Sequence, residues 1–251
     1  MIGYYKFFLS TSNYFRYKQK IGIISPSLFG FIGRLTNLFV TFLPLKLLLI
    51  MSGNKKIDFI ENLGLSEIDI VCLSIVLLLS LFLLNIFVSI KQGRLMSINL
   101  SLLRGGYRLE NNKLTKKQAK SFFTSMVAIT TDLVSIMVSI IVIVLLQPLF
   151  GLLVLLYTIV FCVIAWYYLF SEKSLIRDEN HESVSIKHKA KLAPSLHFLP
   201  MFFILVCLLL YGVIGILKGM LIFVFLRMIM SSIGSITSSQ LPLRKFYRTI
   251  F

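Results

Sequence analysis

The stretch TTDLVSIMVSIIVIVLLQPLFGLLVLLY, Thr130 to Tyr157, carries one charge, Asp132, near its start. Two apolar runs meet in it at Gln147–Pro148. The hydrocarbon core of a bilayer is about 30 Å thick, so a helix needs about 20 apolar residues to cross it. Followed to their limits, the two runs cover about 122–146 and 149–170. Backbone groups in lipid must be satisfied within the segment, and no period-two barrel pattern appears, so both read as helices. A Gln-Pro connection makes them a tight hairpin.

The same reading extends over the whole chain. Of its 251 residues 57% are hydrophobic, and the mean hydropathy is +0.88. That composition belongs to polytopic membrane proteins. Four more spans follow, at about 28–51, 70–90, 198–217 and 219–239. The expected fold class is all-α integral membrane, with six transmembrane helices. A basic aromatic segment covers 1–27, the six-helix domain 28–240 and a basic tail 241–251. The three cysteines, Cys72, Cys162 and Cys207, fall inside apolar runs without CxxC spacing, and each reads as a small buried hydrophobe. The N-terminus lacks an early apolar core followed by a small-residue cleavage site, so no cleaved signal peptide is read.

A net charge of +16 in a soluble protein would point to nucleic acid. In a membrane protein it has another source, because cytoplasmic loops collect Lys and Arg. With both termini cytoplasmic, twenty cations fall on the inner side and three, Lys55, Lys56 and Lys218, on the outer. That asymmetry sets the expected orientation. The outer connections at Gln147–Pro148 and Leu217–Gly219 are then minimal, and the inner ones, about 91–121 and 171–197, are long. Spans 2 and 3 should continue as helices beyond the bilayer, since SINLSLL and KKQAKSFFTSMV keep helical apolar spacing. Gly105–Gly106 breaks the helix between them.

Six helices with short outer turns and long inner hairpins resemble the transmembrane domain of type I ATP-binding-cassette (ABC) exporters. FIGRLTNLFVTFLPLKLLLIMSG, with Pro44 near its outer end, is similar to the family's first helix. Asp132, the apolar run after it and the Pro-hydrophobic turn are like the third and fourth. GVIGILKGMLIFVFLRMIMSSIGSITSSQLPLRKFY resembles the last helix, with its Gly-x-x-x-Gly opening (Gly215, Gly219) and small-residue tail. Two departures stand out. No GxxxxGK[ST] phosphate loop occurs, so ATP and Mg would be bound by a partner ATPase and no cofactor by this chain. Both inner hairpins, especially 171–197, are shorter than the family's stalks.

The resemblance implies that the tip of the first inner hairpin, Gly105, Gly106, Tyr107, Arg108, Leu109, Glu110 and Asn111, is a short coupling helix seated on a separate ATP-binding subunit. The residues alone allow a second reading, in which the cations around it fix topology and meet anionic lipid. Twelve spans make a functional unit in this family, so a second transmembrane subunit, identical or related, is implied.

Charges inside spans are costly and mark function by default. Arg227 lies eight residues into span 6, about 12 Å deep at 1.5 Å per residue. It either faces a cavity and binds an anionic group of a substrate, or has a structural partner. Lys46, near the outer end of span 1, snorkels or joins Arg227. Arg34 and Asp132 sit at similar depth, and a structural ion pair is preferred over a proton relay. Asp178, Glu179, His181, Glu182 and His188 lack metal-ligand spacing and read as a solvated loop. Ser231 to Ser239 reads as helix packing. No catalytic constellation appears, so an enzyme acting alone is not expected.

The leading expectation is a transport subunit, the membrane half of an ABC-type exporter in a bacterial cytoplasmic membrane, with no nucleic-acid partner. The alternative is a non-transporting binding, regulatory or immunity protein with a decayed exporter fold. A secondary transporter has only Asp132 as a buried carboxylate and no broken-helix pair to support it.

Overall fold

A computed structural model describes residues 22–51, 67–103, 107–109, 112–114, 116–170 and 182–250. Among the described residues the chain is six helices and one short hairpin of strands. The helices are α1 (Ile24–Met51), α2 (Glu67–Leu102), α3 (Lys116–Leu146), α4 (Pro148–Phe170), α5 (Glu182–Leu210) and α6 (Ile216–Ile250). Strands β1 (Tyr107–Leu109) and β2 (Asn112–Leu114) lie between α2 and α3. Four segments, within α1, α2, α3 and α6, are long and apolar enough to cross a membrane, which marks this as a membrane protein. Pro148–Ile164 in α4 and Pro194–Leu210 in α5 are shorter apolar segments.

The α3–α4 turn is where the sequence puts it. Only Gln147 stands between the helices, and Pro148 opens α4, where its missing N–H costs nothing. The helical ladder nearly runs through the turn, from Gln147 N to Ile143 O and from Gly151 N to Gln147 O. A Cβ on Gly151 would lie 2.5 Å from Val144 Cα, so the two helix ends close up only with glycine there.

The other tight turn is not at Leu217–Gly219. Helix α5 ends at Leu210, and Leu217 to Gly219 belong to α6. Gly212 takes a φ of 70°, in the left-handed region. Val213 N donates to Leu208 O at 3.0 Å, and Gly212 N to Leu209 O at 3.1 Å. This is a Schellman motif, which satisfies carbonyls that the helix end leaves open. Gly212→Ala is therefore expected to cost about 1–2 kcal/mol, the penalty of a left-handed residue with a Cβ. Thermal unfolding of the purified variant in detergent checks this, and Gly215→Ala, where a Cβ meets nothing within 4 Å, is the comparison.

The core lies among α3, α4, α5 and α6. Ile136, Ile140 and Ile143 of α3 meet Phe150 and Val154 of α4, Leu205 of α5, and Leu226 and Ile229 of α6. Gly219 lets α6 approach α5, since a Cβ there would lie 2.5 Å from Leu209 Cδ2. On α3, hydroxyls bond back along their own helix, Ser135 Oγ to Thr131 O and Ser139 Oγ to Ser135 O. These side chains are thereby satisfied and buried in a close contact. Outside this core, α1 packs on α2 and α3. Most of α2 presents Leu, Ile, Val and Phe outward, as a lipid-facing helix would. Cys72 and Cys162 are on such outward faces and Cys207 is half-buried, so the expectation of three buried cysteines is corrected.

Helix α5 carries two internal prolines, Pro194 and Pro200. Pro200 has no N–H for the carbonyl four residues back, that of Leu196. The hydroxyl of Tyr157 on α4 donates to that carbonyl at 3.2 Å. His197 beside it is fully buried, with Nε2 3.0 Å from Thr158 Oγ1 and its ring 5.1 Å from both Tyr157 and Phe161.

The chain does extend spans 2 and 3 as helices, and α2 is 36 residues long. At their tip, in place of the short helix that the resemblance implies, β1 and β2 form an antiparallel pair with Tyr107 opposite Leu114 and Leu109 opposite Asn112. Gly105, Gly106, Glu110 and Asn111 lie outside the described residues. So does most of the basic segment 1–27, which is described from residue 22. Helix α6 runs through position 241, the expected start of the tail, to Ile250.

Candidate functional site

Arg34 is half-buried in the middle of α1, and its Nη1 pairs with Oδ1 of Asp132 on α3. Asp132 is fully buried. The sequence places both residues at one depth, and the fold brings them together. Ser232 and Ser235 of α6 face the same carboxylate. Its second oxygen, Oδ2, and Ser232 Oγ are both buried without a hydrogen-bond partner. The pair thus sits where α1, α3 and α6 meet.

Hydroxyls on either side of this point lie between α1 and its neighbours. Ser27 Oγ, which donates to Ile23 O of its own helix at 2.8 Å, also lies 3.2 Å from Val127 O, and Thr131 Oγ1, which donates to Val127 O at 2.8 Å, lies 3.3 Å from Ser27 O. Thr36 Oγ1 donates to Asn85 Oδ1 of α2 at 3.3 Å. Gly30 makes the approach possible, because a Cβ there would lie 2.7 Å from Gln92 Nε2 and 3.0 Å from Thr131 Oγ1.

Two cavities flank Arg34. One, of about 350 Å3, lies among α1, α2 and α3. Its walls carry Asn37 from α1, Asn85, Ser89 and Gln92 from α2, and Thr124 and Thr131 from α3. The other, of about 510 Å3, lies between α1 and α6, both of which pack on α3. Arg34, Asn37 and Thr41 of α1 face Arg227 and Ser231 of α6 across it. Phe42, Met220 and Phe223 line its other end. Arg34 and Asn37 belong to both cavities.

Arg227 therefore faces a cavity. It lies eleven residues into α6, about 16 Å along the helix at 1.5 Å per residue, deeper than the sequence implies because α6 starts earlier. Its companion there is Arg34. Lys46 lies in α1, but its side chain is outside the described residues. The serine stripe divides in two. Ser232 packs toward Asp132, and Ser231 is exposed to the α1–α6 cavity. The acidic and histidine residues of 178–188 lie outside the described side chains. Among the described residues no group of His, Cys, Asp or Glu could hold a metal ion.

Sequence reasoning missed the polar wall of α2. Asn85, Ser89, Gln92 and Met96 recur at intervals of four, three and four, which sets them on one face of the helix. That spacing is the signal that finds it. It also missed His197, assigned to the end of a loop, which the fold seals between α4 and α5.

Comparison with known proteins gives no match to a family model, a curated protein or a solved structure.

Proposed function

We propose that this chain is the membrane-spanning half of a transporter, working as a dimer with an identical or related subunit and driven by a separate ATPase. The cargo pathway includes the cavity between α1 and α6. The observation that carries this reading is Arg227, a cation deep in an apolar helix, lining a cavity opposite a second arginine, Arg34. Arginine at such depth is expensive and is kept where it meets a polar partner or a ligand. Two guanidinium groups in one cavity favour an anionic or amphipathic cargo.

In this reading all six helices span a bacterial cytoplasmic membrane with both termini inside, as the twenty-to-three cation asymmetry favours. The β1–β2 tip then reaches the cytosol. Its backbone register pairs position 108 with position 113. The cations of this segment, Arg104, Arg108 and Lys113 among them, favour an acidic surface, on an ATPase or on anionic lipid. The ATPase binds ATP and Mg, and its motion reaches the membrane helices through this tip.

A second reading has its own observation. The tip is a strand pair where the exporter resemblance implies a coupling helix. A regulatory or immunity protein with an altered exporter fold would no longer need that helix.

Affinity purification of the tagged chain in mild detergent separates the two. The transporter reading expects a stoichiometric soluble ATPase, lost when residues 106–111 are replaced by a Gly/Ser linker. Recovery without an ATPase, alone or with another membrane protein, sinks it and favours the second.

A further inference from the structure

The geometry points to a bipartite site for a single amphiphile. An uncharged, hydroxyl-rich head occupies the α1–α2–α3 cavity, a phosphodiester-type anion lies between Arg34 and Arg227, and an apolar chain runs along α1 and α6. This deepens the transport reading by naming the cargo class, and it rests on that reading only for the cargo's movement.

The head is read from the first cavity. Asn37, Asn85 and Gln92 offer amides and Ser89 a hydroxyl, while Thr124 and Thr131, whose hydrogens go to Lys120 O and Val127 O, offer acceptors only. Amides and hydroxyls both donate and accept, which is what a polyol demands. Among the described residues the cavity's lining has no carboxylate and no aromatic ring, so a cationic head such as choline finds neither an ion-pair partner nor a cation–π face. Among the described lining residues Arg34 alone is charged.

The anion is read from the arginines. Arg34 spends one donor on Asp132 and keeps others, since a guanidinium carries five N–H groups. Its charge is already balanced by Asp132. Arg227 has no ion pair among the described residues. One cation in excess matches one negative charge, that of a phosphodiester. Arg34 and Asn37, shared by both cavities, stand where head and chain would join.

The chain is read from the far end of the second cavity. There Leu38, Phe42, Met220, Phe223 and Val224 give an apolar wall.

The test uses the full purified chain and lipid binding followed by native mass spectrometry. Phosphatidylinositol joins all three parts. Phosphatidylcholine changes the head to a cation, phosphatidic acid lacks the polyol, dodecyl maltoside lacks the anion, and inositol 1-phosphate lacks the chain. Phosphatidylinositol is expected to bind about tenfold tighter than each lipid control, the equivalent of one well-made polar contact. Inositol 1-phosphate should not displace it at equal concentration. Arg227→Gln leaves the ion pair intact and should abolish the preference over dodecyl maltoside. Ser89→Leu fills the head cavity and should abolish the preference over phosphatidic acid while phosphatidic acid still binds. Equal binding of phosphatidylinositol and phosphatidylcholine overturns the proposal. So does phosphatidic acid matching phosphatidylinositol in the unaltered chain, inositol 1-phosphate displacing it, or a preference that survives both substitutions. No ATPase is needed for this measurement. Selective binding without a copurifying ATPase keeps the site and removes the transport reading; a copurifying ATPase with indiscriminate lipid binding does the reverse.

Discussion

Replacing Arg34 with leucine is expected to destabilise the protein by about 3–5 kcal/mol, the range for leaving one member of a buried ion pair without its partner. Asp132 is fully buried and its Oδ2 already lacks a hydrogen bond. Arg34 is the only cation paired with it among the described residues. Without the guanidinium, Ser232 and Ser235 are the groups left facing the carboxylate among the described residues. The reverse substitution, Asp132→Asn, should cost less, because Arg34 is partly exposed and borders two cavities. The double change Arg34→Leu with Asp132→Leu should recover much of the loss, since hydrophobic replacement of a whole buried pair is often neutral. Thermal unfolding in detergent, read by fluorescence-detected size exclusion, checks all three. An Arg34→Leu protein as stable as the parent would show that the pair contributes nothing to folding.

The second large effect is expected at Gly151. Its missing Cβ would meet backbone, Val144 Cα at 2.5 Å and Val144 N at 2.6 Å. A flexible side chain can swing aside, but backbone cannot. Gly151→Ala therefore has to pry open the α3–α4 hairpin, against the packing of Ile143 and Phe150 in the core. Overpacking of this kind costs about 1–3 kcal/mol, and a larger residue costs more. Gly93→Ala is the control. A Cβ there meets nothing within 4 Å, and alanine inside a helix is favoured over glycine by about 0.5–1 kcal/mol. Yield and unfolding temperature should fall for Gly151→Ala and hold or rise for Gly93→Ala. Equal behaviour of the two would mean that the hairpin is not closed as described.

Much of this architecture is legible from apolar run length, because a helix in lipid satisfies its own backbone and needs no partner to be recognised. The Gln147–Pro148 turn is legible because proline opens a helix. The turn after Leu210 is not, because Val213 and Ile214 are as apolar as the helices they separate. Its only mark is Gly212, one of several glycines in that region. Arg34 and Asp132 can be paired from depth alone, since opposite charges at one level in hydrocarbon have strong reason to meet. The cavities cannot be seen that way. They depend on which faces of α1, α2 and α6 are turned together, and periodicity within one helix does not say which neighbour its polar face meets. The strand pair at 107–114 competes with a helical reading of similar length, and three-residue strands leave little alternation to detect.

Tyr157 and Pro200 have a mechanical consequence. Proline deprives the Leu196 carbonyl of its own helix's donor, and the hydroxyl that replaces it belongs to α4. Sliding or rotating α4 against α5 would leave that oxygen unmatched in an apolar setting, at a cost of several kcal/mol. With the Thr158–His197 contact beside it, this bond pins the two helices together at one level. Motion that changes the α1–α6 cleft would then carry α4 and α5 together.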